Sequence, residues 1–199
     1  MDIEAGLDLL KKDKNMQDLI KKFGRPDFNL GQDYFQSLLR SIVFQQLSGK
    51  AAKTIYERLV NLIPETTNLC PNEVLKLDKD EMRKAGLSFQ KINYVRNLAD
   101  YFENNSLQKK DFKIMTDEEI SKELTQIKGV GQWTVDMFLM FTLNRPDILP
   151  YKDLGIQKGI MKILNKKIIP SKKEMENCSK KWRPFRTIAC WYLWRMTDD

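Results

Sequence analysis

Histidine is absent from this chain of 199 residues, and cysteine occurs only three times. Without an imidazole there is no histidine-activated serine or cysteine nucleophile and no histidine metal site. Cys70, Cys178 and Cys190 have no CxxC spacing, which argues against a disulfide framework, a zinc site and a four-cysteine iron–sulfur cluster. No apolar run reaches the roughly eighteen residues that a membrane-spanning helix needs. The opening stretch, MDIEAGLDLLKKDKN, is too charged for a secretory signal. Low-complexity segments, an obvious linker and a persuasive strand pattern are missing as well. The expectation is an intracellular, metal-poor, all-α protein: cytoplasmic or nucleoid-associated in a prokaryote, nuclear in a eukaryote. Any catalysis has to rest on carboxylates, lysines, aromatics or backbone dipoles.

With 42% hydrophobic and 31% charged residues, the chain can bury a real core as one large domain or two small lobes. Its net charge of +7 is unevenly placed. Residues 151–199 hold twelve Lys and Arg against five Asp and Glu, the whole excess, while residues 1–150 balance at 22 each. A basic region on a neutral body points to a polyanion partner, or else to a lysine-rich helix face turned to solvent.

Apolar residues recur at three- and four-residue spacing in DYFQSLLRSIVFQQ (33–46) and KAAKTIYERLVNLI (50–63), so both predict helices. Ser48 and Gly49 separate them, with Ser48 as N-cap, and Pro64 ends the second. PNEVLKL and KDEMRKA read as short helices, and FQKINYVRNLADYFENN (89–105) as a longer amphipathic one. Capping boxes at Thr116 with Glu119 and at Ser171 with Glu174 mark two further helix starts. The two prolines of NRPDILPYK (144–152) make that segment a loop, and Asp153 precedes another helix. A last helix follows Pro184, and the N-terminal helix and the C-terminal helices are expected to fold back into one lobe.

IKGVGQWT (127–134) joins two of these helices and carries two glycines where stopping a helix needs one. A hairpin here lets the amides of Gly129, Gly131 and the next helical turn point together, as a nest for an anion. Glycine at both positions would admit a phosphate close to the backbone. The plainer reading is a tight turn between helices. KAGLSFQKINYVRNL echoes the same order of helix, Gly-aliphatic-small turn and helix.

LTQIKGVGQWTVDMFLMF followed by ILPYKDLGIQKG resembles the helix-hairpin-helix DNA glycosylases of base excision repair, and most of all the DNA-3-methyladenine glycosylase II branch. The similarity extends back to IVFQQLSGKAAKTIYERL and AGLSFQKINYVRNLA and forward to KWRPFRTIACWYLWR, roughly residues 33–196. It implies a single glycosylase domain over residues 1–199, with the hairpin at about 117–142 and the active-site cleft between two helical lobes. The implied partner is damaged double-stranded DNA, bound by a monomer without organic cofactor or membrane.

The resemblance also assigns roles. Asp153 would be the essential carboxylate, stabilising positive charge that builds on the sugar as the N-glycosidic bond breaks. By itself an aspartate there is equally a helix N-cap. Asp136 and Asp147 are its local rivals. Trp133 stands where strand-cutting relatives place a lysine nucleophile, and it would instead wall the pocket for a flipped base. An N-alkylated purine is cationic and suits an aromatic face. Trp194 would be a second pocket aromatic, beside Trp191 and Tyr192, although aromatics at helical spacing also build cores. Met137 takes a position where relatives carry an aromatic, so pocket shape departs here. From FQQLSG a side chain would fill the hole left by the flipped base: Gln46 first, Leu47 next, with Ser48 on a phosphate or as a cap. Gln45 would pack or hydrogen-bond. Gly129, Gly131 and Thr134 would meet the DNA backbone. The carbonyls of Thr125, Ile127 and Val130 would hold a monovalent cation. Another lesion, oxidised or mismatched, and a non-catalytic hairpin DNA-binding module are the alternatives.

Overall fold

Helix after helix begins on a side chain that accepts the amides left bare at a helix start. The structure, a computed structural model, describes residues 1–28, 33–63 and 69–198; Pro64, expected to end a helix, lies outside the described residues. In chain order the helices are α1 (Ile3–Leu10), α2 (Lys14–Phe23), α3 (Tyr34–Phe44), α4 (Gly49–Val60), α5 (Pro71–Lys76) and α6 (Lys79–Lys84). They continue with α7 (Phe89–Asn104), α8 (Asp117–Leu124), α9 (Gln132–Phe141), α10 (Leu154–Ile163), α11 (Lys172–Ser179) and α12 (Arg186–Asp198). Short 3-10 turns lie at Leu107–Lys109 and Lys180–Trp182, and no strand occurs among the described residues. The chain is all-α.

Asp2, Asp13, Asp33, Asp78 and Asp153 each accept a first-turn amide of the helix that follows. Both expected capping boxes form, Thr116 with Glu119 and Ser171 with Glu174. Ser48 takes the N-cap position of α4, but its hydroxyl makes no cap bond. The N-terminal segment, expected as one helix, is two, because Asp13 closes the first turn of α2 through Asn15 N at 3.1 Å.

The chain divides into two units, Met1–Leu30 with Leu139–Asp199 and Gly31–Phe138. In the first, α12 packs on α1, α2 and α10. Trp182, fully buried, donates its indole N–H to Asp13 at 2.7 Å, and Lys181 lies 2.9 Å from the same carboxylate. Burial alone would raise the Asp13 carboxyl, but Trp182 and Lys181 outweigh it and hold it below its ordinary value. Tyr192, also fully buried, donates to the Gly24 carbonyl at 2.7 Å, and burial pushes its phenol up to about 12.

In the second unit α7 is the central helix, packing on α3, α5 and α6. Phe35 meets Phe102 edge to face, and Tyr34, Phe112 and Phe138 form a mutual edge-to-face cluster. Gln36, buried on α3, donates to the Leu69 carbonyl and accepts the Tyr56 hydroxyl. Helix α3 stops at Phe44, short of the expected Gln46. Lys91 Nζ takes the Val43 and Gln45 carbonyls at 2.6 and 2.8 Å, and Gln46 turns to φ +56°.

Candidate active site

In the first unit the proline loop is fastened to α12 before it delivers Asp153. Thr187, fully buried, donates to the Arg145 carbonyl at 2.7 Å and accepts the Ile148 amide at 3.1 Å. The Asp147 carboxylate takes the guanidinium groups of Arg183 and Arg186, so this rival acid serves as the loop's anchor. The Asp153 amide then closes onto the Pro150 carbonyl at 2.9 Å.

Asp153 is an N-cap and more than that. Its Oδ1 accepts the Ile156 amide at 2.9 Å and the Trp194 indole N–H at 2.8 Å. Gly155 makes room for this pair, since a Cβ there would fall 2.7 Å from Trp194 Cδ1. Trp194 in turn lies against Phe141, ring centroids 5.8 Å apart, and Phe141 stacks on Phe28 at 6.0 Å. A half-buried carboxylate thus sits at the end of an aromatic row, with its orientation fixed from two sides. Of the other two C-terminal aromatics, Tyr192 is core, and Trp191 lies under the Arg195 guanidinium, 4.8 Å from its ring centroid.

In the second unit the hairpin forms between α8 and α9, and its two glycines have different reasons. Gly129 has φ +109°, and a Cβ on it would lie 2.3 Å from the Tyr94 ring. Its need for glycine is met inside the protein, where a phosphate was expected to supply the reason. Gly131 is exposed, and a Cβ there would meet nothing within 4 Å. It alone leaves open space over the amides that begin α9. The echoing turn before α7 has the same start, Gly86 at φ +111° followed by a fully buried Leu87, but ends in Ser88, whose hydroxyl caps Lys91 N at 3.2 Å.

Thr134 was expected at the DNA; its side chain is 1% exposed, and its hydroxyl accepts the Gln45 amide at 3.0 Å. Gln45 also donates to the Gly129 carbonyl at 3.0 Å, as a hydrogen-bonding residue should. Thr134 as a whole is closed to an external group and acts from inside, holding Gln45. Gln46, Leu47 and Ser48 are all exposed, Leu47 to 40%. Gln46 holds the left-handed backbone that a non-glycine residue seldom adopts, a strain that collects at functional turns. Trp133 and Met137, four residues apart, share one side of α9, and both are half-buried. Asp136 is 7% exposed and accepts Gln132 Nε2 at 2.9 Å, while Gln132 Oε1 accepts the Ser121 hydroxyl at 2.8 Å, tying α9 to α8. In the turn, the Ile127 carbonyl accepts the Val130 amide at 2.9 Å. Lys128 and Lys152 are exposed.

Sequence reading missed Lys91, Tyr94, Phe28, Phe141 and Gly155. Their partners lie far away in the chain, and only the glycine had a local signal, being two residues past a candidate acid. The basic C-terminal region also reads differently once folded. Lys166 pairs with Glu174, Lys172 with Glu176, Lys181 with Asp13, and Arg183 and Arg186 with Asp147. Part of the charge excess of residues 151–199 is thus met by Asp13 and Asp147, two acids from outside the region.

Residues 39–184 match the HhH-GPD superfamily of base excision DNA repair proteins. Over 196 residues the chain is 34% identical to DNA-3-methyladenine glycosylase 1 of Schizosaccharomyces pombe, covering 96% of this chain and 86% of that protein. A solved structure of the Schizosaccharomyces pombe 3-methyladenine DNA glycosylase in complex with abasic DNA matches with a TM-score of 0.88 at 32% identity, over 98% of this chain and 97% of that one. The DNA-3-methyladenine glycosidase of Bacillus halodurans matches with a TM-score of 0.76 at 34% identity, over 95% of this chain and 87% of that one.

Proposed function

The chain belongs to the HhH-GPD superfamily of base excision DNA repair proteins, and from that premise we propose that it is a monofunctional DNA glycosylase for alkylated purines of the 3-methyladenine type. The observation that carries this reading is Asp153, delivered by an anchored proline loop and held on Oδ1 by the Ile156 amide and the Trp194 indole. The bond to be broken lies inside the duplex, so the nucleotide must be flipped out. The exposed Gln46–Leu47 turn would occupy the gap, and the open face at Gly131 would receive a backbone phosphate on the first amides of α9. The carbonyls of Thr125, Ile127 and Val130 are neutral oxygens in one turn, suited to a monovalent cation that would add positive charge beside that phosphate.

Trp133 and Met137, on one side of α9, would meet the flipped base, and Trp194 is the aromatic expected for it beside Asp153. A cationic alkylpurine gains from aromatic faces and already leaves readily, so the chemistry needs no general acid. As the glycosidic bond lengthens, positive charge builds on the sugar. A fixed carboxylate at Asp153 stabilises it and orients the attacking water, leaving free base and an abasic site. Position 133 carries an indole, which cannot form a Schiff base, so the strand stays intact.

Duplexes with single defined lesions test the reading. Release of 3-methyladenine with an intact, alkali-labile strand is expected, and borohydride during turnover should trap nothing. A stoichiometric covalent adduct that disappears on replacing Lys128 or Lys152 would overturn the monofunctional part. Release of oxidised or mismatched bases alone would overturn the substrate class.

A further inference from the structure

Two neighbouring concave regions of the second unit, of about 440 and 640 Å³, lie along α7 with Gln90 and Tyr94 in the walls of both, and together they make up a groove. Its near end touches the expected DNA site, at Gln46 and Gly131. Its far end is lined by Lys79, Asn93 and Arg96. Lys91, Lys128, Lys79 and Arg96 all line it and no carboxylate does. Among the described residues, none of these four cations is in an ion pair, in contrast to the basic C-terminal region. Lys91 and Arg96 are oriented by main-chain carbonyls, Lys91 by Val43 and Gln45 and Arg96 by Leu77 at 3.2 Å. The remaining lining is neutral and hydrogen-bonding, with Gln90 donating to the Tyr94 hydroxyl and Asn97 to the Lys128 carbonyl.

We propose that this groove is a continuation of the nucleic-acid interface: a phosphodiester strand that meets the hairpin at Gly131 runs on over Tyr94 toward Lys79 and Arg96. An elongated channel with unpaired cations, amide and hydroxyl donors and no acid suits a chain of evenly spaced monoanions. A compact anion would need only one end of it. The identity of the polyanion as DNA rests on the glycosylase reading, while the charge and shape of the groove stand independently. The footprint therefore extends past the lesion, and long duplexes bind more tightly than short ones.

The experiment measures binding of the full chain to a short duplex that spans only the lesion and to a long undamaged duplex, across a salt series, with excision followed in parallel. Asn93→Asp keeps the size of an exposed side chain and adds a negative charge to the groove. It should weaken long-duplex binding at low salt by roughly threefold to tenfold and leave the short duplex unchanged. Lys79→Gln should reduce the slope of log affinity against log salt by about 1 on the long duplex. If the parent excises alkylpurines but both variants bind the long duplex as it does, the groove assignment fails by itself. If the parent releases no base but both variants lose long-duplex affinity, the glycosylase reading fails and the groove stands. Equal effects on short and long duplexes, or a loss of affinity for an acidic peptide alone, would also overturn the assignment.

Discussion

The first unit contains the same contact twice. Asp13 and Asp153 are both helix N-caps, and both accept a tryptophan indole N–H, at 2.7 Å from Trp182 and 2.8 Å from Trp194. Their company separates them. Asp13 has a side chain only 7% exposed, a tryptophan sealed in the core and a lysine beside it, so its charge is compensated where it stands. Asp153 is half-buried, and its tryptophan is half-buried at the end of a row of rings. A capped, indole-bonded aspartate is therefore not by itself a catalytic signature. The first pair closes the fold, joining residues 169 apart in sequence; the second is accessible enough to act on a substrate.

Removing the charge from each aspartate should expose that difference most sharply. Asparagine caps a helix about as well as aspartate and still offers Oδ1 to an indole. Asp153→Asn should keep the melting temperature but lower single-turnover excision about a thousandfold or more, since a fixed anion facing developing positive charge is lost. Binding to a duplex with an abasic analogue should persist. The same substitution at Asp136 or Asp147 serves as the control, and a larger loss there would mean that the wrong acid has been chosen.

At Asp13 the effect should fall on stability instead. Asp13→Ala orphans a buried indole N–H and should cost about 2 kcal/mol, a drop of roughly 4–8 °C in melting temperature, with excision unchanged below the transition. Its folded carboxyl lies below the ordinary value of 3.8. The stability it contributes is thus complete above that value and is lost as pH falls through the folded pKa. Asp13→Asn should flatten the acid limb of the stability curve; an unchanged limb would show that the charge on Asp13 contributes nothing.

Much of this architecture could be read from residues close together in sequence. The capping boxes, the proline loop and the N-cap at Asp153 are local patterns, and each forms as its spacing implies. The same holds for the hairpin, although not for the reason at Gly129. That glycine is dictated by the Tyr94 ring, 35 positions earlier in the numbering of the chain, and no window around the turn contains that information. Thr134 lies among motif residues, yet its hydroxyl is held by Gln45, 89 residues away. The net charge is silent on placement for a related reason. Counting cannot tell a lysine that faces a carboxylate from one that lines an acid-free groove. Pairings such as Asp13 with Trp182 are fixed by helix packing and leave no trace in local pattern.

Between the two aspartates, the glycine beside the proposed catalytic one, Asp153, offers a finer test. Gly155→Ala puts a methyl group on the indole that orients Asp153. Displacing that ring by a fraction of its width should cost roughly tenfold to a hundredfold in kcat, because a reacting group that is slightly misplaced loses much of its effect. Helix α10 gains about 1 kcal/mol of helix propensity while the crowded indole costs about as much, so the melting temperature should change little. A fall in excision with a steady melting temperature would separate positioning from folding; equal falls in both would merge Asp153 with Asp13 as structural.

The smallest change isolates one hydrogen bond. Trp194→Phe keeps an aromatic ring against Phe141 but deletes the N–H that Asp153 Oδ1 accepts, leaving the Ile156 amide as its remaining donor of the two. A single hydrogen bond to a charged acceptor is worth about 1 kcal/mol when other donors remain, so kcat should fall by roughly threefold to tenfold. KM for a cationic lesion should move less, because a phenyl face still attracts a cation. The matching Trp182→Phe variant removes the indole from Asp13 and should alter the melting temperature without touching kcat. If Trp194→Phe raises KM and spares kcat, the indole acts on the base alone, and its bond to Asp153 is structural, like that of its counterpart in the core.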